Sequence, residues 1–209
     1  MALDGTYTGL KASVADWLNR ADLTTQIPDF IAMAEARFNR VIRHNAMLQR
    51  DTTVATTDYV NLPSDWLEHV SVVVTSDSSL SKPLEYVSNE EFNRLRLQSL
   101  TGAFRYYTIQ DNKLVLLPAT NSTTTTLELF YYGKIPALSA SVATNWLLTR
   151  APDLYLFGAL VGAEAFLQND ERLPTWASAI DAILGELSVE SERAKRPQGA
   201  ITIRKRTFG

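Results

Sequence analysis

The sequence predicts an α+β protein in which N- and C-terminal helices form one bundle and a β-rich unit is inserted between them. Apolar residues recur at helical spacing near both ends of the chain. In the middle, runs rich in threonine, valine and tyrosine alternate with turn residues and indicate strands. The simplest arrangement of helices, then strands, then helices is one helical bundle with an inserted β-rich unit. The predicted parts are residues 1–45 and 141–196 for the bundle, 46–140 for the β-rich domain and 197–209 for an extended C-terminal arm.

Five helices are expected in the bundle. The first spans about 8–19, and the second begins near Ile27, with Thr25 as its N-cap and Pro28 in its first turn. The C-terminal segment predicts further helices at about residues 142–150, 152–168 and 174–195.

The segment LYLFGALVGAEAFL, residues 154–167, predicts a helix that is apolar on every side. Spanning a bilayer takes about 20 apolar residues, so protein must cover this helix. Gly158 and Gly162 lie on one face and allow a second backbone to approach, either in ordinary helix packing or in subunit packing. Its one charge, Glu164, is expected to have an arginine or lysine partner or to be exposed along a narrow stripe, because burying an unpaired carboxylate costs several kcal/mol.

The middle of the chain predicts short strands and one short helix. Residues 51–63 indicate strand, turn and strand, and further strands are expected at 68–75, 83–87 and 127–132. Ser88 followed by Glu91 is a capping-box pattern that opens a helix through Leu97. The turn Asp111-Asn112 between residues 106–110 and 113–117 predicts a hairpin.

The composition is that of a globular chain with an uneven charge distribution. It is 45% hydrophobic and 21% charged, which argues against disorder. The absence of cysteine excludes disulfides and thiolate metal sites, and the N-terminal MALDGTYTGLK predicts no secretory signal. The first 192 residues carry 14 basic and 23 acidic side chains, or −9, and the last 17 carry +6. An acidic body with a basic end is typical of an interaction protein.

Candidate catalytic residues are few. The two histidines, His44 and His69, stand in separate predicted elements, so a zinc site or a catalytic triad is not expected. His44 is expected at a helix C-terminus or at the surface. The carboxylate pair Asp65 and Glu68 lies at a predicted turn, where acidic side chains ordinarily cap a helix or face solvent. His69 follows Glu68 directly, and adjacent strand residues point to opposite faces, so these two side chains are not expected to exchange a proton. The sequence thus predicts neither an enzyme nor a cofactor.

Two sets of residues could contact nucleic acid or a partner. Three arginines share one face of the second helix, which is ordinarily a solvated surface and alternatively a partner contact: Arg37, Arg40 and Arg43. Four tyrosines in predicted strands could stack on bases, although tyrosine pairs in strands ordinarily pack across strands: Tyr106, Tyr107, Tyr131 and Tyr132.

Several stretches, in order, resemble the head-to-tail adaptor proteins of tailed bacteriophages, the connector or head-completion family that includes tail tubular protein A. They are VADWLNRADL, IPDFIAMAEARFNRVIR, LPSDWLE, PLEYV, KLVLLP, FYYGKIPALS and WLLTRAPDLYLFGAL. The resemblance implies a non-enzymatic ring, commonly of twelve subunits, between the portal and a tail or nozzle protein. It also implies a C-terminal arm that reaches the portal and a channel that DNA passes without sequence-specific binding.

Under this resemblance, the expected location is the virion, after assembly in the host bacterial cytoplasm, and no membrane is involved. The basic, sparsely apolar end of the chain should then order on its partner. The residues expected to bind the portal are Arg193, Lys195, Arg196, Ile201, Ile203, Arg204, Lys205, Arg206 and Phe208, while Gly158 and Gly162 are expected in subunit packing. The alternatives are a nucleic-acid-binding module that uses the basic tail, and a hydrolase that uses Asp65 or Glu68.

Overall fold

The computed structural model describes residues 4–75, 82–119, 124–167 and 171–196. The fold is α+β, as the sequence predicts. The chain divides into two compact units, Met1–Asn45 with Ala137–Gly209, and Ala46–Pro136. We call them the helical unit and the β unit.

The helical unit is built around one central helix. It contains α1 (Tyr7–Leu18), α2 (Ile27–Val41), α4 (Trp146–Arg150), α5 (Pro152–Leu167) and α6 (Leu173–Lys195), and a short 3-10 helix, Asn45–Met47, begins at its boundary. Helix α5 contacts α1, α2, α4 and α6. Leu154, Tyr155, Ala159, Leu160 and Ala163 are fully buried, so protein covers most of this apolar helix, as expected.

Two helix starts differ from the sequence-based prediction. Thr25 does not cap α2: the N-cap residue is Gln26, which already has helical backbone angles and makes no side-chain cap bond. The first N–H groups are instead satisfied by a backbone turn, in which Leu23 O accepts from Gln26 N and Ile27 N at 3.1 and 3.0 Å. Helix α4 is shorter than predicted because the extended residue Asn145 caps it and accepts a bond from Leu148 N at 2.8 Å.

The β unit has two four-stranded sheets, ordered β1-β8-β3-β4 and β2-β7-β6-β5. Its core is made of apolar side chains from both sheets, including Tyr107, Leu114, Leu116, Leu127 and Leu129. The pairings are antiparallel except for the parallel pair of β5 and β6. The elements are β1 (Leu48–Ala55), β2 (Tyr59–Asn61), β3 (Trp66–Val74), β4 (Lys82–Pro83), β5 (Glu85–Tyr86), α3 (Asn89–Arg96), β6 (Tyr106–Gln110), β7 (Lys113–Leu117) and β8 (Thr125–Gly133).

Local turn chemistry sets two features of the β unit as predicted. Asp111 and Asn112 both have positive φ, 48° and 56°, as a two-residue type I′ hairpin requires. The Ser88 hydroxyl accepts a bond from Glu91 N at 3.3 Å and so caps α3.

The single strand predicted at 83–87 is wrong, because this segment crosses between the two sheets. Leu84 N donates to Val72 O at 2.8 Å on one side, and Glu85 N donates to Arg105 O at 2.9 Å on the other. Two strands of two residues each, β4 and β5, are the result.

Candidate functional site: interaction surfaces of the helical unit

The glycine face of α5 lies against α2 of the same chain. A Cβ placed on Gly158 would lie 2.7 Å from Phe38 Cζ and 3.0 Å from Ala34 Cβ, whereas one placed on Gly162 would lie 3.5 Å from Phe30 Cβ. Both glycines therefore take part in close helix packing, and Gly158 is the tighter contact. Their role in subunit packing stays a prediction for the part of this face that α2 leaves exposed.

Glu164 has neither the partner nor the exposure that the sequence led us to expect. It is 2% exposed, and its Oε2 has no hydrogen-bond partner among the described residues. The described residues also place no arginine or lysine in an ion pair with it. The helical period explains the burial, since Leu160, one turn earlier on the same face, is fully buried.

A second buried carboxylate, that of Glu35, has two hydrogen-bond donors on one of its oxygens. Its Oε1 accepts bonds from Leu138 N at 2.8 Å and from the Tyr155 hydroxyl at 3.2 Å. That hydroxyl in turn accepts a bond from Asn145 Nδ2 at 2.7 Å. Burial raises the pKa of Glu35, and it also raises the pKa of Tyr155 well above its usual value. The network fixes the irregular segment 137–145 to α2 and α5.

His44 follows the C-terminal end of α2, one of its two expected places, but it is buried and not at the surface. Its ring stacks on Trp146 with centroids 5.2 Å apart, and its Nε2 lies 3.8 Å from Glu190 Oε2. Glu190 also binds the Arg150 guanidinium, with Nε 3.1 Å from Oε2. Burial and, secondarily, the nearby Arg150 charge lower the pKa of His44. This arrangement favours a neutral, structural imidazole.

The basic residues predicted to bind a partner divide into two groups. Arg193, Lys195 and Arg196 are exposed at the C-terminal end of α6, where cations complement the helix dipole, and Lys195 pairs with Glu192 at 2.9 Å. The others lie outside the described residues: Ile201, Ile203, Arg204, Lys205, Arg206 and Phe208.

Two of the three arginines on α2 make contacts within the chain. Arg37 Nη2 lies 4.0 Å from Asp181 Oδ1 of α6. Arg43 Nη1 donates to Asn39 O and Ile42 O at 2.9 and 2.7 Å, at the end of the helix. Arg40 is exposed. A nucleic-acid site on this face would therefore have to compete with existing contacts at two of its three cations.

Two of the four tyrosines considered for base stacking are core residues of the β unit. Tyr107 and Tyr131 are buried, and the Tyr131 hydroxyl donates to Asp65 Oδ1 at 3.1 Å. Burial raises the pKa of each of these two phenols to about 12. Tyr106 and Tyr132 are partly buried. Packing thus accounts for Tyr107 and Tyr131, which are not accessible for base stacking.

His69 and the neighbouring carboxylate do not form a proton-transfer site. The His69 ring stacks on Tyr86 with centroids 4.4 Å apart, while Glu68 is exposed on the other face of the strand. The described ranges hold no cluster of three or more His, Cys, Asp or Glu side chains suited to a metal ion. Nor, within those ranges, does any helix combine the length and apolar character needed to cross a bilayer.

A groove between the end of α2 and the middle of α6 was not visible from the sequence, because its walls are about 140 residues apart in the chain. Its volume is ≈ 380 Å³. Gly185 contributes an open position, since a Cβ placed there would meet no atom within 4 Å. The lining residues are Val41, Ile42, Arg43, His44, Leu184, Gly185, Leu187 and Ser188.

The sequence matches the model of a protein family described as SU10 adaptor protein, over residues 5–204. This match spans both units and nearly the whole chain. No curated protein matches the sequence.

Proposed function

Because this chain belongs to the SU10 adaptor family of phage head-to-tail adaptor proteins, we propose that its copies form a dodecameric ring that binds the portal and joins the capsid vertex to the tail. The family match over residues 5–204 carries this proposal. A head-to-tail adaptor is a structural component of the virion. The ring assembles in the host bacterial cytoplasm, binds a tail or nozzle protein on its other side and leaves a channel for DNA.

Exposed apolar side chains of the helical unit support a contact with other subunits. Trp17, Met33 and Phe166 are each more than half exposed, at 51%, 59% and 55%. Trp17 and Phe166 are held by aromatic neighbours, Phe157 at 5.9 Å and Phe30 at 5.6 Å between centroids. Rigid exposed aromatic residues of this kind are common anchors in protein interfaces. In the proposed ring, neighbouring subunits cover them.

The charge distribution supports portal binding by the C-terminal end. Exposed Arg193, Lys195 and Arg196 end α6, and the sequence continues with the apolar anchors Ile201, Ile203 and Phe208 and three further cations. Repeated around a ring, contacts that are weak individually act together. The −9 charge of the first 192 residues would also discourage DNA from adhering to the channel.

The test is to measure the mass of the full chain by native mass spectrometry, alone and with portal rings of the same phage. We expect either a ring on its own or a monomer that adds one copy per portal subunit. Arg193→Glu with Arg196→Glu should weaken portal binding, and this loss should be greater at low salt. Arg40→Glu, a single charge reversal at the exposed arginine of α2, should bind portals normally.

A chain that stays monomeric and does not bind portal rings would contradict the proposal. In that case DNA binding that weakens steeply with salt would support the nucleic-acid alternative. Loss of portal binding in Arg40→Glu but not in the α6 variant would move the portal site to the arginine face of α2.

A further inference from the structure

The groove between α2 and α6 has room for another chain segment to lie against the backbone of α6. Gly185 stands in the middle of the 23-residue helix α6, where glycine is less favourable than alanine. A Cβ at Gly185 would meet no atom within 4 Å, and Val41 on the opposite wall is 55% exposed. Val41, Ile42, Leu184 and Leu187 line the groove beside this bare stretch of helix backbone and form an apolar slot, which an extended segment would cover.

We propose that this groove holds the chain's own C-terminal arm, residues 197–209, in the free subunit, with Ile201 and Ile203 as the anchors. The arm leaves α6 at Arg196, on the same helix that forms one wall of the groove. The helix from Gly185 to Arg196 rises about 16 Å. The seven residues from Arg196 to Ile203 span at most about 23 Å when extended, so the chain can reverse and still reach Gly185.

The sequence of the arm fits an apolar slot. Pro197 and Gly199 are residue types that favour a chain reversal. In an extended chain, Ile201 and Ile203 point to one side and Thr202 to the other. The arm therefore has one apolar edge, two residues long, that can enter the groove while its polar edge stays in solvent.

The charge on α6 does not oppose the basic arm, because the charged residues between Leu173 and Glu190 are all acidic, namely Asp181, Glu186 and Glu190. Asp181 and Glu190 already pair with Arg37 and Arg150, and Glu186 does not line the groove. The apolar edge of the arm therefore determines the contact with the groove, and the acidic residues of α6 provide only general attraction for Arg204, Lys205 and Arg206.

The contact has a consequence for assembly that rests on the proposed function. An arm held in the groove of its own subunit is withheld from the portal, and a portal must displace it to bind. The groove then acts as an autoinhibitory site that favours arm docking only where many portal contacts are available together.

Cysteine cross-linking tests the contact directly, because the chain contains no cysteine. The full-length chain carries Ser188→Cys, at the edge of the groove, together with Ile203→Cys. We expect mild oxidation to form an intramolecular disulfide, seen as a faster monomer band without reductant. Formation should be at least about tenfold faster than in two matched pairs, Ser188→Cys with Thr202→Cys and Val189→Cys with Ile203→Cys. Val189 follows Ser188 on the same helix, is exposed and does not line the groove, so the arm can reach both positions equally well.

Three outcomes would overturn the proposal. Equal rates in all three pairs would mean that the arm does not occupy the groove. A dimer band in place of the fast monomer band would assign the groove to the arm of a second copy. A fast cross-link that persists at the same rate after Gly185→Leu, which fills the slot, would show that the groove is not the site; Ser178→Leu, at an exposed position of the same helix that does not line the groove, is the control that should change nothing.

Adding portal rings separates this inference from the proposed function. If portals bind and the cross-link rate falls, the result supports both the adaptor function and the autoinhibitory role of the groove. If the cross-link forms but the protein does not bind portals, the groove contact stands and the adaptor proposal fails. If portals bind while the cross-link rate is unchanged, the autoinhibitory role is excluded.

Discussion

The two units stabilise their cores in different ways. In the β unit, the buried polar side chains among the described residues are Thr108 and Thr125. In the helical unit they are Ser13, Glu35, His44, Asn145, Glu164 and Ser191. All the buried ionisable carboxylates and the buried histidine thus belong to the helical unit. The β unit relies on apolar packing and its strand ladders, whereas the helical unit also uses buried polar side chains such as Glu35, Asn145 and Ser191, which bind specific partners.

The difference follows from what each unit must hold in place. Strands satisfy their backbone groups through the ladder, so their side chains can be apolar. The helical unit also has to fix non-helical chain. Glu35 accepts from Leu138 N, Ala143 O accepts from Tyr7 N at 2.6 Å, and Ser191 Oγ accepts from Asn45 N at 3.1 Å. Substitutions in the helical unit should therefore have larger effects than equivalent substitutions in the β unit.

The largest effect is expected for Gly158→Leu in the helical unit. The added side chain must displace Phe38, which is buried and lies edge-on against Tyr155 at 5.3 Å, so neither ring can move freely. We expect a loss of about 3 kcal/mol or failure to fold. Urea unfolding followed by far-UV circular dichroism measures it.

Two glycine-to-alanine variants serve as controls for this prediction. Gly162→Ala meets ordinary contacts at 3.5 Å and should gain up to about 1 kcal/mol from helix propensity. In the β unit, Gly133→Ala meets the flexible side chains of Asp65 and Gln49, so it should cost less than Gly158→Ala. Normal stability of Gly158→Leu would show that α2 and α5 do not pack as described.

The next effect compares one hydroxyl in each unit. Tyr155→Phe removes the donor to Glu35 and the acceptor for Asn145 in a buried network, and should cost about 2 kcal/mol. Tyr131→Phe removes a single, partly buried bond to Asp65 and should cost about 1 kcal/mol or less. Chemical denaturation of both variants gives the comparison. Equal costs would mean that the buried network adds nothing beyond an ordinary hydrogen bond.

Features encoded over a few residues could be predicted from the sequence. The hairpin at Asp111-Asn112 and the Ser88 cap depend on local turn chemistry, and α5 depends on an uninterrupted apolar run. The Thr25 cap was wrong because Leu23 O already accepts the N–H groups that a cap would have bound.

Features that join distant residues could not be predicted. The bond between Glu35 and Tyr155 links residues 120 positions apart, and the groove joins α2 to α6. The split of residues 83–87 depends on which sheet each N–H faces, which no local pattern encodes. For Glu164, the sequence showed a charge in an apolar helix and predicted either a basic partner or exposure, but the side chain is buried and the described residues supply no partner for its Oε2.

Glu164 should be a position at which the helical unit gains stability. Glu164→Met keeps the length of the side chain and removes a buried carboxylate whose Oε2 has no partner among the described residues, so we expect a gain of about 1 to 3 kcal/mol. Glu164→Gln keeps a polar group and should gain less. Thermal unfolding measures the order of the three proteins. A loss of stability in Glu164→Met would show that this carboxylate has a partner in solution.

The smallest effect is the pH dependence contributed by Glu35. Burial raises its pKa above the unfolded value, so its stabilising contribution is full below the unfolded pKa and is lost as the pH rises through the folded pKa. Glu35→Gln keeps an acceptor for Leu138 N and Tyr155 but does not ionise. Its stability relative to the natural chain should therefore increase between about pH 3.5 and pH 7, as measured by urea unfolding at each pH. Burial also lowers the pKa of His44, but this residue is present in both proteins, so its contribution to the pH dependence cancels in the difference. A difference that stays constant with pH would show that the Glu35 carboxyl is not held in an environment that disfavours its charge.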